Sequence, residues 1–198
     1  MSKPIRIILL GPRNVGKSSA GHVIEQKTGL KFIDIDDPLV KQYGPIPEIV
    51  KEYGWEWFRK IETRIVEDIV KTNKQQDIII GLGGGTVAHE FTKWRKKNIS
   101  ILNNFNPTAK VLLIPYPDHR KNAEILTKRS RSGFSGISTK PPLTDLGPLE
   151  ETYFLLLKRF NHYLDFSTDL IYTRQMGVSD VADAIIERYL TGLIRLRA

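Results

Sequence analysis

Apolar runs of strand length alternate with stretches of helical periodicity from one end of the chain to the other. Continuous apolar runs, such as Ile7–Leu10, are typical of parallel strands that are buried on both faces. The pattern predicts strands at Ile5–Leu10, Leu30–Ile35, Asp77–Ile80, Val111–Ile114 and Asp169–Tyr172, with a further short strand at Ile99–Leu102.

Between these runs, apolar residues recur at intervals of three and four, which is the period of an amphipathic helix. The spacing predicts a helix that begins at Pro38 and others at Lys17–Thr28, Glu48–Tyr53, Trp55–Thr72, Val87–Lys97, Asp118–Arg129, Leu149–Asp165 and Ser179–Leu193. Alternating strands and helices indicate an α/β fold, a three-layer sandwich with helices on both faces of a central parallel sheet of about five strands. We expect residues 1–198 to form one domain that binds ligands at the carboxyl ends of the strands.

The loop after the first strand carries a phosphate-binding motif. Gly11 is followed by four residues and then by Gly16, Lys17 and Ser18, which matches G-x-x-x-x-G-K-[ST]. The glycines let backbone N–H groups point at phosphate oxygens, and the helix that starts inside the motif adds its positive end. Lys17 can reach the β- and γ-phosphates, and the Ser18 hydroxyl can ligate Mg²⁺. A chance glycine-rich turn is the alternative, which the preceding strand and the following helix disfavour.

Composition narrows the classes of protein that remain. The 198 residues are 40% hydrophobic, enough for a sizeable core, and they contain no cysteine, which excludes disulfides and fits a reducing compartment. The apolar runs are far shorter than the ~20 residues of a membrane span, and no signal peptide is visible, so we expect a cytoplasmic protein that does not bind membranes. The net charge of +8 suits anionic substrates or nucleic acid. The basic run Lys93–Lys97 is interpreted as a solvated helix face.

Two carboxylates lie at the end of the second strand, Asp34 and Asp36. One of them can face Ser18 and a water on Mg²⁺, while the other faces the cleft and takes a proton from an attacking hydroxyl. The alternative is that Asp36 or Asp37 only caps the helix that begins at Pro38.

Arg59 and Glu62 are three residues apart and share one face of the predicted helix Trp55–Thr72. This spacing leaves two interpretations, an exposed ion pair worth less than ~1 kcal/mol and a guanidinium that Glu62 fixes as a fork for a substrate carboxylate. The run Gly83–Gly85 follows a buried strand, where glycines allow close approach of a ligand to the backbone. A flexible turn is the alternative for this run.

Together these elements resemble shikimate kinase, a family of P-loop kinases related to the nucleoside-monophosphate kinases. The phosphate loop alone is shared by many families, whereas the Asp-x-Asp, Phe-Arg-x-x-Glu and triple-glycine elements, in this order and spacing, are much more specific. The matching stretches are Gly11–Ser18, Phe32–Asp36, Ile46–Gly54, Phe58–Glu62 and Gly83–Gly85. The resemblance implies ATP-dependent phosphorylation of a shikimate hydroxyl to give shikimate 3-phosphate, with Mg²⁺ as cofactor and residues 45–72 as a substrate-binding helical part.

The resemblance also implies roles for individual residues. The predicted catalytic residues are Lys17, Asp36 and Lys140. The nucleotide is expected at Gly11, Asn14, Val15, Gly16, Lys17, Ser18 and Ser19, with Arg129 packed on the adenine, and Mg²⁺ is expected at Ser18 and Asp34. The acceptor is expected at Asp36, Arg59, Gly83, Gly84, Gly85 and Arg159.

The chain departs from the family pattern in residues 130–143, the expected mobile lid. The family carries Arg-Pro-x-Leu there, and this chain has Lys140-Pro141-Pro142-Leu143, in which lysine supplies charge but no bidentate fork. The departure leaves two further hypotheses: a P-loop kinase for another small acceptor such as gluconate or a nucleotide, and a nucleotide-binding regulatory protein with weakened catalysis. We expect a monomer with a small-molecule substrate and do not expect nucleic acid as a partner.

Overall fold

The computed structural model describes residues 3–131 and 141–191. The strands in these ranges are β1 (Arg6–Leu10), β2 (Lys31–Asp34), β3 (Ile78–Gly81), β4 (Ala109–Ile114) and β5 (Asp169–Tyr172). The helices are α1 (Lys17–Thr28), α2 (Asp36–Tyr43), α3 (Ile46–Thr72), α4 (Thr92–Asn104), α5 (His119–Arg131), α6 (Pro148–Phe166) and α7 (Val178–Tyr189). Most of the predicted lid, including Lys140, lies outside the described residues.

The strands form one parallel five-stranded sheet in the order β2-β3-β1-β4-β5. β1 is central, with Ile8 paired to Ile80 of β3 on one side and to Lys110 of β4 on the other. The chain extends from β1 to both sides, so the carboxyl end of β1 is the switch point at which open α/β sheets bind ligands. The predicted α/β class with about five parallel strands is confirmed.

A separate hydrophobic core covers each face of the sheet. Successive residues of β1 point to opposite faces, so Ile7 and Leu9 enter one core while Ile8 and Leu10 enter the other. The first core is completed chiefly by α1, α5 and α7, and the second by α3, α4 and α6. Helices therefore cover both faces of the sheet, and the loops at its carboxyl edge leave from between two packed layers.

Two predictions between β3 and β4 were wrong. The segment after the triple glycine is a series of turns through His89, and the helix starts later, at Thr92. The predicted strand Ile99–Leu102 belongs to this helix, because Leu102 and Asn98 are buried one turn apart and the Asn98 side chain donates to the Thr86 carbonyl (2.9 Å).

The predicted break at Gly54 is present inside α3. Gly54 has φ of 79° and lies outside helical geometry, so α3 consists of two helical parts on either side of it. A left-handed φ of this size strongly favours glycine. In the ranges that the structure covers, none of the helices combines the length and apolar character needed to cross a membrane.

Candidate active site

The phosphate loop joins β1 to α1 at the carboxyl edge of the sheet. Gly11 has φ of 137°, and a Cβ there would lie 2.3 Å from the Leu113 carbonyl oxygen, so only glycine fits. Gly16 (φ 100°) precedes α1 without a side-chain cap, which leaves N–H groups of the first helical turn for an anion. The buried Lys17 ammonium donates to the carbonyl oxygens of Gly11 (3.0 Å) and Pro12 (2.9 Å). The loop is thus a preformed cradle for phosphate groups.

Ser18 and Asp34 lie side by side next to this loop. The Ser18 hydroxyl donates a hydrogen bond to Asp34 Oδ2, and Asp34 Oδ1 accepts the backbone N–H of Asp36 at 3.0 Å. Ile35 is the N-cap residue of α2, and Asp36 and Asp37 lie in the first turn of this helix. The choice between a cap and a functional carboxylate at Asp36 stays a prediction.

Arg59 and Glu62 of α3 form a buried ion pair. Arg59 Nη1 lies 2.9 Å from Glu62 Oε2, and the two side chains are 4% and 1% exposed. The Thr86 hydroxyl donates to Glu62 Oε1 at 2.8 Å, so both carboxylate oxygens are engaged. The guanidinium carbon also lies 5.3 Å from the ring centroid of Trp55 and 5.0 Å from that of Phe58. The interpretation as an exposed ion pair is wrong, and Arg59 is instead held in one orientation.

The turn Gly83–Gly85 packs directly against these charged groups. A Cβ on Gly85 would lie 2.4 Å from Arg59 Nη2, and a Cβ on Gly83 would lie 3.5 Å from Asp36 Oδ1. Real Cβ atoms do not approach other atoms as closely as the first of these distances. The glycines therefore let the backbone contact the arginine and the aspartate. We call the region between this turn, Arg59 of α3 and the phosphate loop the cleft.

Helix α6 brings a second arginine to this cleft. Arg159 is 5% exposed, and its Nη2 lies 3.7 Å from Glu90 Oε2 without a hydrogen bond to any described residue. Burial is the main reason that the pKa of Arg159 is lowered, and the positive charge of Arg59 lowers it further. Tyr163, one turn along α6, donates its hydroxyl to the Gly84 carbonyl. The two buried guanidinium groups are close enough to repel each other, and an anion bound between them would relieve this repulsion.

Arg13 also enters the cleft, although the sequence did not point to it as a functional residue. Its Nη1 donates to the Pro141 carbonyl at 3.3 Å, and its guanidinium carbon lies 5.9 Å from the Trp55 ring centroid. Burial, followed by the charges of Arg159 and Arg59, lowers the pKa of Arg13 to about 10. The signal in the sequence is a long cation inside a phosphate loop that usually has small residues there.

His89 is a second residue that the sequence did not single out. Its side chain is fully buried, and neither ring nitrogen has a hydrogen-bond partner among the described residues. Burial lowers the pKa of His89 to about 2, and the charges of Arg59, Arg159 and Arg95 add to the effect. The imidazole is therefore neutral at physiological pH. No motif indicates this environment, because it arises only when the turn after the triple glycine packs beside the arginines.

The other predicted nucleotide residues surround the phosphate loop. The Val15 side chain is buried in the core, so only its backbone is available to a ligand, whereas Asn14 is exposed with φ of 62° and Ser19 is half-buried. Arg129 at the end of α5 reaches the loop, where its Nη1 lies 3.5 Å from the Val15 carbonyl oxygen. Lys140 lies outside the described residues, so its predicted role stays a prediction.

The phosphate loop lies at the carboxyl end of the central strand of a five-stranded parallel sheet, with Arg13, Arg59 and Arg159 near one another, and this is the architecture of a P-loop kinase fold. The model of the shikimate kinase family matches residues 13–189 of the chain. The chain therefore belongs to the shikimate kinase family, as the resemblance of its motifs implied.

Individual relatives agree with this assignment. The shikimate kinase of Azobacteroides pseudotrichonymphae is 27% identical over 187 residues, which are 92% of this chain and 98% of that protein. The pentafunctional AROM polypeptide of Komagataella phaffii is 42% identical over 88 residues, which are 44% of this chain and only 6% of that much longer polypeptide. The solved structure of shikimate kinase from Acinetobacter baumannii in complex with shikimate has the same fold, with a TM-score of 0.74, 22% identity and coverage of 96% of this chain and 94% of that one.

Proposed function

We propose that the protein transfers the γ-phosphoryl group of ATP to a hydroxyl of shikimate, which gives shikimate 3-phosphate. The observation that carries this proposal is the pair of buried guanidinium groups, Arg59 and Arg159, in a cleft next to the phosphate loop. Arg59 is paired with Glu62 and Arg159 lies 3.7 Å from Glu90, but Arg59 Nε and Arg159 Nη2 have no hydrogen-bond partner among the described residues. One carboxylate on a small ring would accept hydrogen bonds from both guanidinium groups, whereas a neutral sugar would bring no negative charge between them. The relative from Acinetobacter baumannii, whose structure contains shikimate, supports the same acceptor.

The residues around the cleft have three roles: they neutralise charge, accept a proton and orient the acceptor. The Lys17 ammonium lies at the phosphate loop, where it offsets negative charge on the transferred group. Asp36 lies beside Gly83 and takes the proton of the attacking hydroxyl. Arg59 and Arg159 orient the ring through its carboxylate, so that the hydroxyl is held near the donor phosphate.

The loop also fits a magnesium ion bound with the nucleotide. Ser18 donates its hydroxyl hydrogen to Asp34, which leaves lone pairs on the hydroxyl oxygen for a cation. Ser18 would hold Mg²⁺ directly and Asp34 through a water, and the ion would supply positive charge next to the phosphates. The remaining phosphate contacts come from the backbone of Gly11, Asn14, Val15, Gly16 and Ser19, and Arg129 packs on the adenine.

The proposal includes the location, the oligomeric state and the kind of partner of the enzyme. A chain without cysteine suits a reducing compartment, and we place the enzyme in the cytoplasm as a monomer. Its net charge of +8 is then explained by two anionic substrates rather than by nucleic acid.

A coupled ADP-release assay with ATP, Mg²⁺ and shikimate tests the proposal directly. We expect turnover with shikimate, loss of turnover in Lys17→Ala, and a raised KM for shikimate with little change in the KM for ATP in Arg59→Ala. Arg188→Ala is the matched control, because Arg188 pairs with Asp169 at the opposite, amino edge of the sheet. Phosphorylation of gluconate without phosphorylation of shikimate would refute the acceptor. Salt-dependent binding of nucleic acid without any turnover would instead support the regulatory hypothesis.

A further inference from the structure

Arg13 starts on the nucleotide side of the cleft and reaches the acceptor side. Its backbone nitrogen and Cγ would lie 3.0 Å and 3.2 Å from a Cβ on Gly84, which places the base of the side chain against the triple-glycine turn. Its guanidinium lies near Trp55 of α3 and donates to the Pro141 carbonyl. The side chain therefore connects the phosphate loop with the wall that holds the acceptor.

The surroundings of Arg13 place it near the path of the transferred group. The carbonyl oxygens that accept hydrogen bonds from Lys17 belong to Gly11 and Pro12, the two residues before Arg13. Asp36, the proposed base for the attacking hydroxyl, is one of the carboxylates whose charge acts on Arg13. In the proposed reaction the donor phosphate and the attacking hydroxyl meet between Lys17 and Asp36. The turn Gly83–Gly85 adjoins both Asp36, at Gly83, and the base of the Arg13 side chain, at Gly84.

Two arginines already serve the acceptor in the proposed function. Arg59, which pairs with Glu62, and Arg159, which lies 3.7 Å from Glu90, are the proposed ligands of its single carboxylate, and both act on Arg13 as like charges. Glu151 is the other carboxylate that acts on Arg13, and its Oε2 accepts the N–H groups of Leu143 (2.9 Å) and Thr144 (3.0 Å). A third guanidinium is therefore not needed for the acceptor itself. Phosphorylation, in contrast, adds about 1.5 to 2 negative charges to the acceptor.

We propose that Arg13 contacts the phosphoryl group in transfer and in the phosphorylated product, and that it does not bind the acceptor carboxylate. The bond between the γ-phosphorus and the β,γ-bridging oxygen breaks, the bond between phosphorus and the acceptor oxygen forms, and the hydroxyl proton goes to Asp36. Arg13 donates N–H hydrogen bonds to the phosphoryl oxygens throughout this step, for which a guanidinium is well shaped. This inference rests on the proposed function.

The test compares the affinities of the acceptor and of the product. Dissociation constants for shikimate and for shikimate 3-phosphate are measured by calorimetry in the wild type and in Arg13→Gln, Arg13→Met and Arg13→Lys. Arg13→Gln keeps a donor for the Pro141 carbonyl but has no charge, so it separates support of the loop from phosphate binding. Arg188→Met is the control for loss of an arginine away from the site, because Arg188 is exposed and pairs with Asp169 at the amino edge of the sheet.

We expect Arg13→Gln and Arg13→Met to weaken product binding about tenfold to hundredfold, as loss of charge-assisted hydrogen bonds does, and to lower kcat. The affinities for shikimate and ATP and the thermal midpoint should stay close to those of the wild type. The affinity of Arg13→Lys for the product should lie between that of the wild type and that of Arg13→Met. Equal losses for shikimate and for the product, or unchanged product binding, overturn the role of Arg13 alone. A wild-type protein that does not turn shikimate over refutes the proposed function as well.

Discussion

The buried histidine makes the folded protein sensitive to acid, because His89 cannot take up a proton without leaving its environment. In the native state, burial and the charges of Arg59, Arg159 and Arg95 lower the pKa of His89 to about 2. In the unfolded chain, the same imidazole titrates near its ordinary value of 6.5. When the pH falls from 7 to 5, the unfolded state therefore gains a proton that the native state does not bind.

This difference in proton binding has a definite size and sign. The stability of the native state falls by about 1.4 kcal/mol for each pH unit below the pKa in the unfolded chain, until the pKa in the native state is reached. At pH 5 the loss is about 2 kcal/mol, because pH 5 lies about 1.5 units below 6.5. Above pH 7 both states are neutral at this position, so the contribution is then almost constant.

The measurement is the free energy of unfolding in urea at pH 7 and at pH 5, at one ionic strength, for the wild type and for His89→Phe. Phenylalanine is a suitable replacement because neither nitrogen of His89 makes a hydrogen bond to a described residue. The wild type should lose about 2 kcal/mol more than the variant between the two pH values. The exposed His22 provides the control variant His22→Phe, which should keep the wild-type difference. Equal losses in the wild type and in His89→Phe would refute the reasoning.

Three further substitutions test the residues around Arg59 and the turn Gly83–Gly85, where the acceptor is expected to bind. Gly85→Ala puts a Cβ 2.4 Å from Arg59 Nη2 and should displace the guanidinium. We expect the KM for shikimate to rise about tenfold or more, as loss of a charge-assisted contact does, and the KM for ATP to stay unchanged. Equal changes in the two KM values would contradict this. Glu62→Gln leaves Arg59 buried without its charged partner and should lower the free energy of unfolding by about 3–5 kcal/mol. The control is Glu67→Gln on the same helix, where the half-buried carboxylate pairs with the exposed Lys71 and Lys97, and it should leave the urea midpoint nearly unchanged. Similar midpoints for both variants would refute the burial argument. Tyr163→Phe removes the donor to the turn carbonyl and should cost about 1–3 kcal/mol in urea unfolding; a stability equal to that of the wild type would show that this bond is not formed in solution.

The sheet was predictable because its strands are continuous apolar runs between clear turn signals. All five strands lie within two residues of their predicted bounds, and that of Asp169–Tyr172 is identical. The error at Ile99–Leu102 has a physical cause, since a short apolar run has the same appearance in a strand and in a partly buried helix. The order of the strands within the sheet depends on packing between segments that are distant in the chain, so a local sequence pattern could not predict it.

The positions of several candidate residues were predictable where they adjoin a strand. The phosphate loop starts directly after β1, Asp34 is the last residue of β2, and one residue separates the triple glycine from Gly81, the end of β3. The spacing of Arg59 and Glu62 could not decide whether the pair is buried, since burial depends on the turn that covers it. Arg13 and His89 owe their environments to contacts between segments far apart in the chain, so their roles required the folded structure.

The hydrogen bond from Tyr163 to the Gly84 carbonyl spans 79 residues of chain, and this separation sets the order in which the two halves of the cleft become usable during synthesis. Both strands that flank β1, and so support the phosphate loop from the sides, have left the ribosome once residue 114 has emerged. The turn Gly83–Gly85 gains its hydrogen bond only after Pro148–Phe166 is synthesised, because that helix carries Arg159 and Tyr163. The arginine-lined side of the site therefore forms later in synthesis than the strands that carry the phosphate loop.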